Sequence, residues 1–401
     1  PYPLFPNPYS LFPTPYSLTP IPYSLPPIPY SLTPMPQILT LLGQDSLRNQ
    51  ILSVAMARRS AARGEKVLLL SLDQSPVLGL LLDTTLTPEQ QAVGANLWVQ
   101  RLQSTQLLEA NWETLKKLEA QYVRTPFLKS VYGQELSILP GMDSALALNH
   151  LREEVARQQW DLIVFAGGQS AETLRMFGMP EVISWYVRRF REVFLESDVA
   201  KAALPFLQPL VGAVSTVNWS DSLLTDPENQ MTATLTQGSR AVSDPQQVVA
   251  FLTSGSDRFS QATAQTLWGM AQQVGLTIAG VLSYPAAAAN ALSEAFAPLS
   301  ISPMPLDNLD TIDWPGLTAA LPPLEQGLSA PRALSIDLAQ RQVRVFLPGF
   351  DKKQVKLTQY GRELTIEAGD QRRNIDLPPE LSGKPVSGAK FQDHYLIVTI
   401  G

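Results

Sequence analysis

The sequence predicts an α/β protein with a doubly wound, mostly parallel sheet, followed by a small C-terminal antiparallel β-sandwich. Three observations lead to this fold class. Residues 38–73 read as strand, loop, helix and strand. Apolar strands alternate with helices over residues 37–325, as in doubly wound sheets. From Ala333 onward the pattern changes to short strands separated by Gly and Pro turns.

The opening unit, Ile38–Asp73, organises the first domain. An apolar strand leads into a loop over Gly43–Asn49, and a helix, a turn at Gly64 and the apolar strand Val67–Leu72 follow. A phosphate-binding loop lies at the first turn of such a unit when one is present. Gly43 is retained there, but the remaining glycines and the lysine of such a loop are replaced by Gln44, Asp45, Ser46, Leu47, Arg48 and Asn49.

Composition excludes several classes of function. The chain has 401 residues, a net charge of −6 and no cysteine, so we expect no nucleic-acid surface, no disulfide and no thiolate metal site. Two distant histidines, His150 and His394, make a histidine metal site improbable, and no metal is expected. No apolar run reaches the ~20 residues of a membrane helix, so we expect a cytoplasmic protein without an integral span.

The N-terminal residues 1–36 form a seven-residue repeat built on P-x-P-Y-S-L, without a charged residue. Proline at two of every seven positions prevents helices and sheets, which predicts a disordered tail, with a polyproline II ligand or linker as the alternative. A further expectation is that Met35 is the native start and that residues 1–34 are translated repeat DNA.

The remaining elements follow from apolar periodicity. Predicted strands are Asn96–Leu102, Trp160–Phe165, Val248–Thr253 and Leu276–Ser283, and predicted helices are Leu107–Tyr122, Pro180–Glu196, Asp198–Val214 and Phe259–Val274. Residues 326–332 are expected to be a linker. Residues 333–401 contain seven predicted strands: Leu334–Leu338, Gln342–Phe346, Val355–Thr358, Glu363–Ala368, Arg372–Leu377, Ala389–Gln392 and Tyr395–Ile400.

Several motifs occur in a familiar order. They are L-D-Q-S-P-V at Leu72–Val77, P-G-M-D-S at Pro140–Ser144, F-A-G-G-Q-S-A-E-T-L-R-M-F at Phe165–Phe177, and M-P-E-V-I-S-W-Y at Met179–Tyr186. With the loop at Gly43–Ile51 they resemble the arsenite-pump and tail-anchored-protein-targeting ATPases, which are anion-transporting ATPase-like, over about residues 37–325. The resemblance implies a sheet of the P-loop NTPase type.

The resemblance also shows which functional groups are missing. The family loop reads G-K-G-G-V-G-K-T-T, and this chain has Asn49 at the phosphate lysine and Gln50 at the Mg²⁺-binding hydroxyl. Gln44 replaces the lysine that reaches across a dimer, and Ala166 replaces the second-switch aspartate. Asp73 matches the water-positioning residue. Losing lysine, hydroxyl and aspartate together should abolish hydrolysis, although Arg48 at the helix N-terminus leaves residual anion binding open.

The C-terminal segment resembles the α-crystallin domain of small heat-shock proteins. V-R-V-F-L-P-G-F-D at Val343–Asp351, E-L-T-I-E-A at Glu363–Ala368 and A-K-F-Q-D-H-Y-L-I-V-T-I at Ala389–Ile400 contribute most to this likeness. The two domains in this order resemble a subgroup of the targeting ATPases found in photosynthetic organisms. The family's zinc-binding cysteine pair is absent, so a homodimer would have to form without zinc.

These resemblances lead to a first hypothesis, a pseudo-ATPase that binds a hydrophobic protein segment or another protein client and needs no cofactor. Its client groove would involve Trp185, Tyr186, Phe190, Phe194, Leu204, Phe206, Leu207 and Leu210, although apolar residues at helical spacing are usually core. A second hypothesis is an ATPase with an altered loop, using ATP or ADP and Mg²⁺, with Asp73 as the catalytic residue. A third is a module that acts only through its β-domain.

Overall fold

The sheet of the first domain lies at the centre of the computed structural model, which describes residues 35–122, 128–196 and 230–401. The part of the repeat tail before Met35 and the predicted helix Asp198–Val214 lie outside these residues. Eight described strands follow the order β3-β4-β2-β5-β1-β6-β7-β8, and each neighbouring pair is parallel except β3 and β4. The strands are β1 (Gln37–Leu42), β2 (Val67–Ser71), β3 (Gln91–Gly94), β4 (Leu97–Arg101), β5 (Leu162–Ala166), β6 (Val248–Ser254), β7 (Thr277–Ser283) and β8 (Ser300–Pro303).

Helices cover both faces of this sheet, as its apolar strands require. They are α1 (Ser46–Ala62), α2 (Val77–Leu81), α3 (Ser104–Tyr122), α4 (Met142–Arg157), α5 (Ser170–Glu196), α6 (Gln230–Ser243), α7 (Arg258–Gln273), α8 (Ala289–Leu292) and α9 (Trp314–Ala320). Strands β2, β5, β6 and β7 are buried along their whole length, and two apolar clusters fill the space on opposite faces. The doubly wound, mostly parallel sheet is therefore confirmed.

The C-terminal residues form two antiparallel sheets around a third apolar core. One sheet has the order β14-β15-β10-β9 and the other has the order β11-β12-β13. Their strands are β9 (Leu334–Asp337), β10 (Gln342–Phe346), β11 (Val355–Tyr360), β12 (Glu363–Ala368), β13 (Gln371–Asp376), β14 (Val386–Gln392) and β15 (Tyr395–Ile400). Buried and partly buried positions alternate along β12, as expected for a sandwich strand. The predicted β-sandwich is confirmed.

The sandwich packs closely against α5 and α7, and residues 35–401 form one compact unit. Gly269 of α7 leaves room for the Pro348–Phe350 turn, because a Cβ there would lie 2.4 Å from the Pro348 oxygen and 2.5 Å from Phe350 Cε2. Gly349, at φ +75°, meets the backbone of α7 in the same contact. The turn therefore fits a notch that only glycine leaves open.

A buried charge joins the same two parts. The Arg373 side chain, on β13, is 7% exposed and donates to the Gln272 carbonyl at 2.9 Å. The carboxylate of Glu181, on α5, lies 3.8 Å away. Burial raises the pKa of Glu181, and Arg373 opposes this shift. A buried guanidinium needs such partners to offset the loss of hydration, so the sandwich is fixed to the first domain by polar as well as apolar contacts.

Three local expectations were wrong. The loop predicted over Gly43–Asn49 is only three residues long, because Asp45 caps a helix that begins at Ser46. The helix predicted to begin at Pro180 begins at Ser170 and continues through that proline. Strands β3 and β8 were not predicted, since each has only four residues and lacks a clear apolar alternation.

Candidate functional site

The loop between β1 and α1 lies at the carboxyl ends of the parallel strands, the edge at which doubly wound sheets bind their ligands. Gly43 is buried there. Its N–H donates to Ser170 Oγ at 2.9 Å, and the Ser170 hydroxyl donates to the Gly43 carbonyl at 2.9 Å. A Cβ at this position would lie 1.9 Å from Thr253 Oγ1, so the close approach of β6 requires glycine.

The carboxylate of Asp45 occupies the N-terminal end of α1. Its Oδ1 accepts a hydrogen bond from the Arg48 backbone N–H at 3.0 Å, and its Oδ2 pairs with the Arg48 guanidinium. A helix N-terminus binds anions through its free N–H groups and its dipole. In this chain the nearest anion is the protein's own side chain, and the cation beside it is already paired.

Asn49 and Gln50, at the positions of the phosphate lysine and the metal-binding hydroxyl, bond to the protein. Asn49 Oδ1 accepts from the Thr253 hydroxyl at 2.6 Å, which connects α1 to the end of β6. Gln50 is buried, and its Nε2 donates to Asp73 Oδ2 at 2.5 Å. Both side chains therefore stabilise the loop as it stands.

Asp73 follows β2 and closes a local turn. Its Oδ1 accepts from the Ser75 N–H at 2.8 Å, while its second oxygen accepts from Gln50. Ala166, at the end of β5, is buried and has no side-chain oxygen with which to hold a metal-bound water. The structure thus brings Asp73 to the loop, with both of its carboxylate oxygens engaged by the protein.

Tyr284 lies over the same site, after β7. The Arg48 guanidinium lies 4.6 Å from the centre of its ring, and the side chain is buried. Burial is the main cause that raises the pKa of Tyr284, and Asp45 and Asp257 raise it further. Asp257 itself caps α7 by accepting from the Phe259 and Ser260 N–H groups. Two carboxylates and one guanidinium therefore surround the tyrosine.

The exposed residues of the loop present no positive charge. Gln44, Ser46 and Leu47 face solvent. Thr253 and Ser170 also belong to this site, although the sequence patterns did not predict them there. The available signal was their position, since polar side chains that follow buried strands collect at the carboxyl edge of a parallel sheet.

The described groove candidates lie on α5 beside the sandwich. Trp185, Tyr186 and Phe190 form an aromatic cluster with ring centres 5.1 to 6.3 Å apart. Trp185 Nε1 donates to Glu363 Oε2 at 3.2 Å, and Arg188 pairs with Glu363 and Asp376. The side chain of Phe194 and all of Leu204, Phe206, Leu207 and Leu210 lie outside the described residues.

Among the residues that the structure describes, no group of three or more His, Asp or Glu side chains is placed to hold a metal ion. No helix in the described ranges is long and apolar enough to cross a bilayer.

Comparison with known proteins gives two family matches and several distant relatives. Residues 48–279 match the model of the anion-transporting ATPases, and residues 339–400 match the HSP20-like domain found in ArsA. An uncharacterised Streptomyces coelicolor protein, SCO2128, is 25% identical over 373 residues, covering 86% of this chain and 93% of its own length.

Two relatives with functional names cover less. A protein of Chlorobaculum tepidum, provisionally named an arsenical pump-driving ATPase, is 25% identical over 38% of each chain. A Babesia bovis protein named as an ATPase ASNA1 homolog is 27% identical over 35% of this chain. The chain spans less than half the length of these two relatives. Since the first family model matches more than half of the residues, the chain belongs to the anion-transporting ATPase family.

Proposed function

We propose that this chain is a pseudo-ATPase, a member of its family that acts without nucleotide and binds hydrophobic segments of other proteins. The observation that supports this most directly is the self-capped loop. Asp45 holds the N-terminus of α1 and pairs with Arg48, and Asn49 and Gln50 bond to Thr253 and Asp73.

Electrostatics and geometry both oppose a triphosphate in this loop. A bound phosphate would have to displace the Asp45 carboxylate and would then face Asp73 and Asp257 with Arg48 as its nearest cation. Phosphoryl transfer depends on positioned cations and on Mg²⁺ that neutralise the developing charge. The site lacks the lysine, the metal-binding hydroxyl and the second aspartate, so among the described residues of the loop Arg48 is the one cation left to neutralise phosphate.

The client surface that we propose is the exposed apolar stripe of α5. Val182, Tyr186 and Phe190 are spaced four residues apart, which places them on one face of the helix. They are 48%, 54% and 37% exposed. Exposed apolar side chains that adjoin one another favour contact with an apolar partner. The occupant that fits is a helical or extended hydrophobic segment of another protein.

A chaperone assay with the whole chain tests this proposal. The probe is a synthetic Leu/Ala-rich peptide of transmembrane character. Its aggregation is followed by light scattering with and without the protein. We expect the protein to suppress aggregation of the peptide equally with and without Mg²⁺ and ATP. The triple variant V182S/Y186S/F190S should lose this suppression. The matched control replaces three exposed leucines elsewhere, L80S/L139S/L328S, and should keep the activity.

Either of two results would contradict the proposal. Suppression that requires ATP would mean that nucleotide drives client binding. Equal suppression by both triple variants would mean that α5 is not the client surface, and would favour a module that works through its β-domain.

The runner-up function is an ATPase with an altered loop. Its support is Arg48, whose guanidinium lies at the N-terminus of a helix and whose Nε is buried without a hydrogen-bond partner among the described residues. If this function holds, purified protein hydrolyses ATP in a Mg²⁺-dependent manner and Arg48→Ala abolishes the turnover. Turnover that survives Arg48→Ala would point to a contaminating ATPase.

A further inference from the structure

A polar cavity lies at the sheet edge, away from the loop between β1 and α1. Its volume is about 330 Å³, and it is a half-open pocket bordered by the end of β4, one face of α3 and one face of α4. This volume is within the range of small-molecule pockets, near its lower end. The cavity shares no residue with the loop between β1 and α1, so it is a separate candidate site.

The floor of the cavity is a network of fixed side chains. Asn149 is 1% exposed and donates to Asn111 Oδ1 at 3.2 Å and to Glu153 Oε1 at 3.0 Å. Gln100 donates to the Pro88 carbonyl at 2.7 Å, and its Oε1 lies 3.1 Å from His150 Nε2. Buried polar groups held by one another keep their orientation, so the floor is preorganised for a polar ligand.

Arg101 is the charged side chain of the described lining that has no charged partner. Its Nε is buried without a hydrogen bond, and no ion pair between described residues includes its guanidinium. The other arginine of the lining, Arg157, is already bound to Glu154 at 2.6 Å. An arginine that lines a polar cavity and has no carboxylate partner is suited to bind the carboxylate of a ligand.

The charges of the lining select the class of ligand. Glu153 also lines the cavity. Its carboxylate accepts from Asn149 at 3.0 Å and lies 3.9 Å from Arg152, and it opposes a multiply charged anion such as a phosphate ester. Burial lowers the pKa of His150, although Glu154 and Glu153 oppose this shift, so burial disfavours its charged form. In the described lining, one arginine without an ion pair, one carboxylate and several amides match a small molecule that has a carboxylate together with amine or hydroxyl donors.

We propose that this cavity is a binding site for a small amino or hydroxy acid, whose carboxylate is held by Arg101. Leu102 and Leu107 line the same space and give its carbon skeleton an apolar surface. The donors of the ligand face Glu153 and the amide oxygens of the floor. The site is independent of nucleotide binding and of client binding on α5.

The test is a thermal-shift screen of the whole chain, followed by calorimetry of each hit. The probes are the standard amino acids, short hydroxy and dicarboxylic acids, methylamine as the probe without a carboxylate, and inorganic phosphate. We expect at least one amino or hydroxy acid to bind saturably. Arg101→Gln should weaken that binding about tenfold or more, because a charge-assisted bond is lost.

Two further variants separate a lost site from a lost fold. Ala110→Leu should block the exposed mouth of the cavity without changing a charge, and it should abolish binding while the chain stays folded. Arg189→Gln removes an exposed arginine on α5 and should bind like the parent protein. The proposal is overturned if no amino or hydroxy acid binds, if phosphate alone binds, or if Arg101→Gln and Ala110→Leu bind as tightly as the parent.

Discussion

Replacing Asp45 with alanine removes the contact that defines the loop after β1. In the structure its carboxylate caps the Arg48 N–H at 3.0 Å and pairs with the Arg48 guanidinium, and both side chains are partly exposed. Loss of an N-cap costs about 1 kcal/mol. Loss of a negative charge at a helix N-terminus and of a partly exposed ion pair adds about 1 kcal/mol. Asp45→Ala should therefore lower the free energy of unfolding by about 2 kcal/mol.

The measurement is urea unfolding followed by far-UV circular dichroism, with two companion variants. Asp45→Asn keeps an oxygen that accepts from the Arg48 N–H but removes the charge, so its loss should be about half as large. Ser46→Ala changes the next residue, which is exposed at the start of α1, and should be close to neutral.

The reasoning is refuted if Asp45→Ala is as stable as the parent protein, or more stable. A carboxylate that faces an open phosphate site would be repelled by the other acidic groups around it, and its removal would then stabilise the chain. The order expected from the cap is parent, then Asp45→Asn, then Asp45→Ala.

Two further predictions concern the attachment of the sandwich. Gly269→Ala should destabilise the chain by about 1–3 kcal/mol and speed proteolysis between the domains, because its Cβ would meet Phe350 Cε2 at 2.5 Å. This clash should outweigh the normal preference of alanine for a helix. Gly388→Ala, which has open space around its Cβ, is the control, and equal stability of the two variants would count against the packing described. Burial raises the pKa of Glu181, so the folded protein holds a proton that the unfolded chain releases, and stability should fall as pH rises between the two pKa values. Glu181→Gln should remove that part of the pH dependence in denaturant titrations, and an unchanged profile would contradict it.

The sheet was predictable from the sequence because its strands are runs of apolar residues separated by helices. The runs at Val67–Ser71, Leu162–Ala166 and Val248–Ser254 are buried at every position, so both faces need cover and the doubly wound fold follows. The sandwich was predictable for the related reason that strands such as β12 alternate between buried and partly buried positions.

The details of the site were less accessible. The sequence of Gly43–Gln50 shows directly which functional groups are missing. It does not show that the Asp45 carboxylate caps α1, which is the contact that shortens the loop. The bonds from Asn49 to Thr253 and from Gln50 to Asp73 join residues far apart in the chain. Local propensity contains no information about such pairs.

The docking of the two domains was hidden for a similar reason. An arginine in a short strand, such as Arg373, reads as a solvent-facing charge, and burial is unusual for this residue type. Only the arrangement of α5 and α7 places Glu181 and the Gln272 carbonyl beside it. The expectation that residues 333–401 are a separate domain did not include this interface.

Calorimetric titration of the whole chain with ATP and with ADP, each with and without Mg²⁺, tests the central claim most directly. We expect no saturable binding of either nucleotide. The Asp45 carboxylate occupies the helix N-terminus at which a phosphate would bind, and Asn49 and Gln50 stand where a phosphate-binding lysine and a metal-binding hydroxyl would be needed. Saturable, Mg²⁺-dependent binding of ATP that is lost in Arg48→Ala would contradict this expectation.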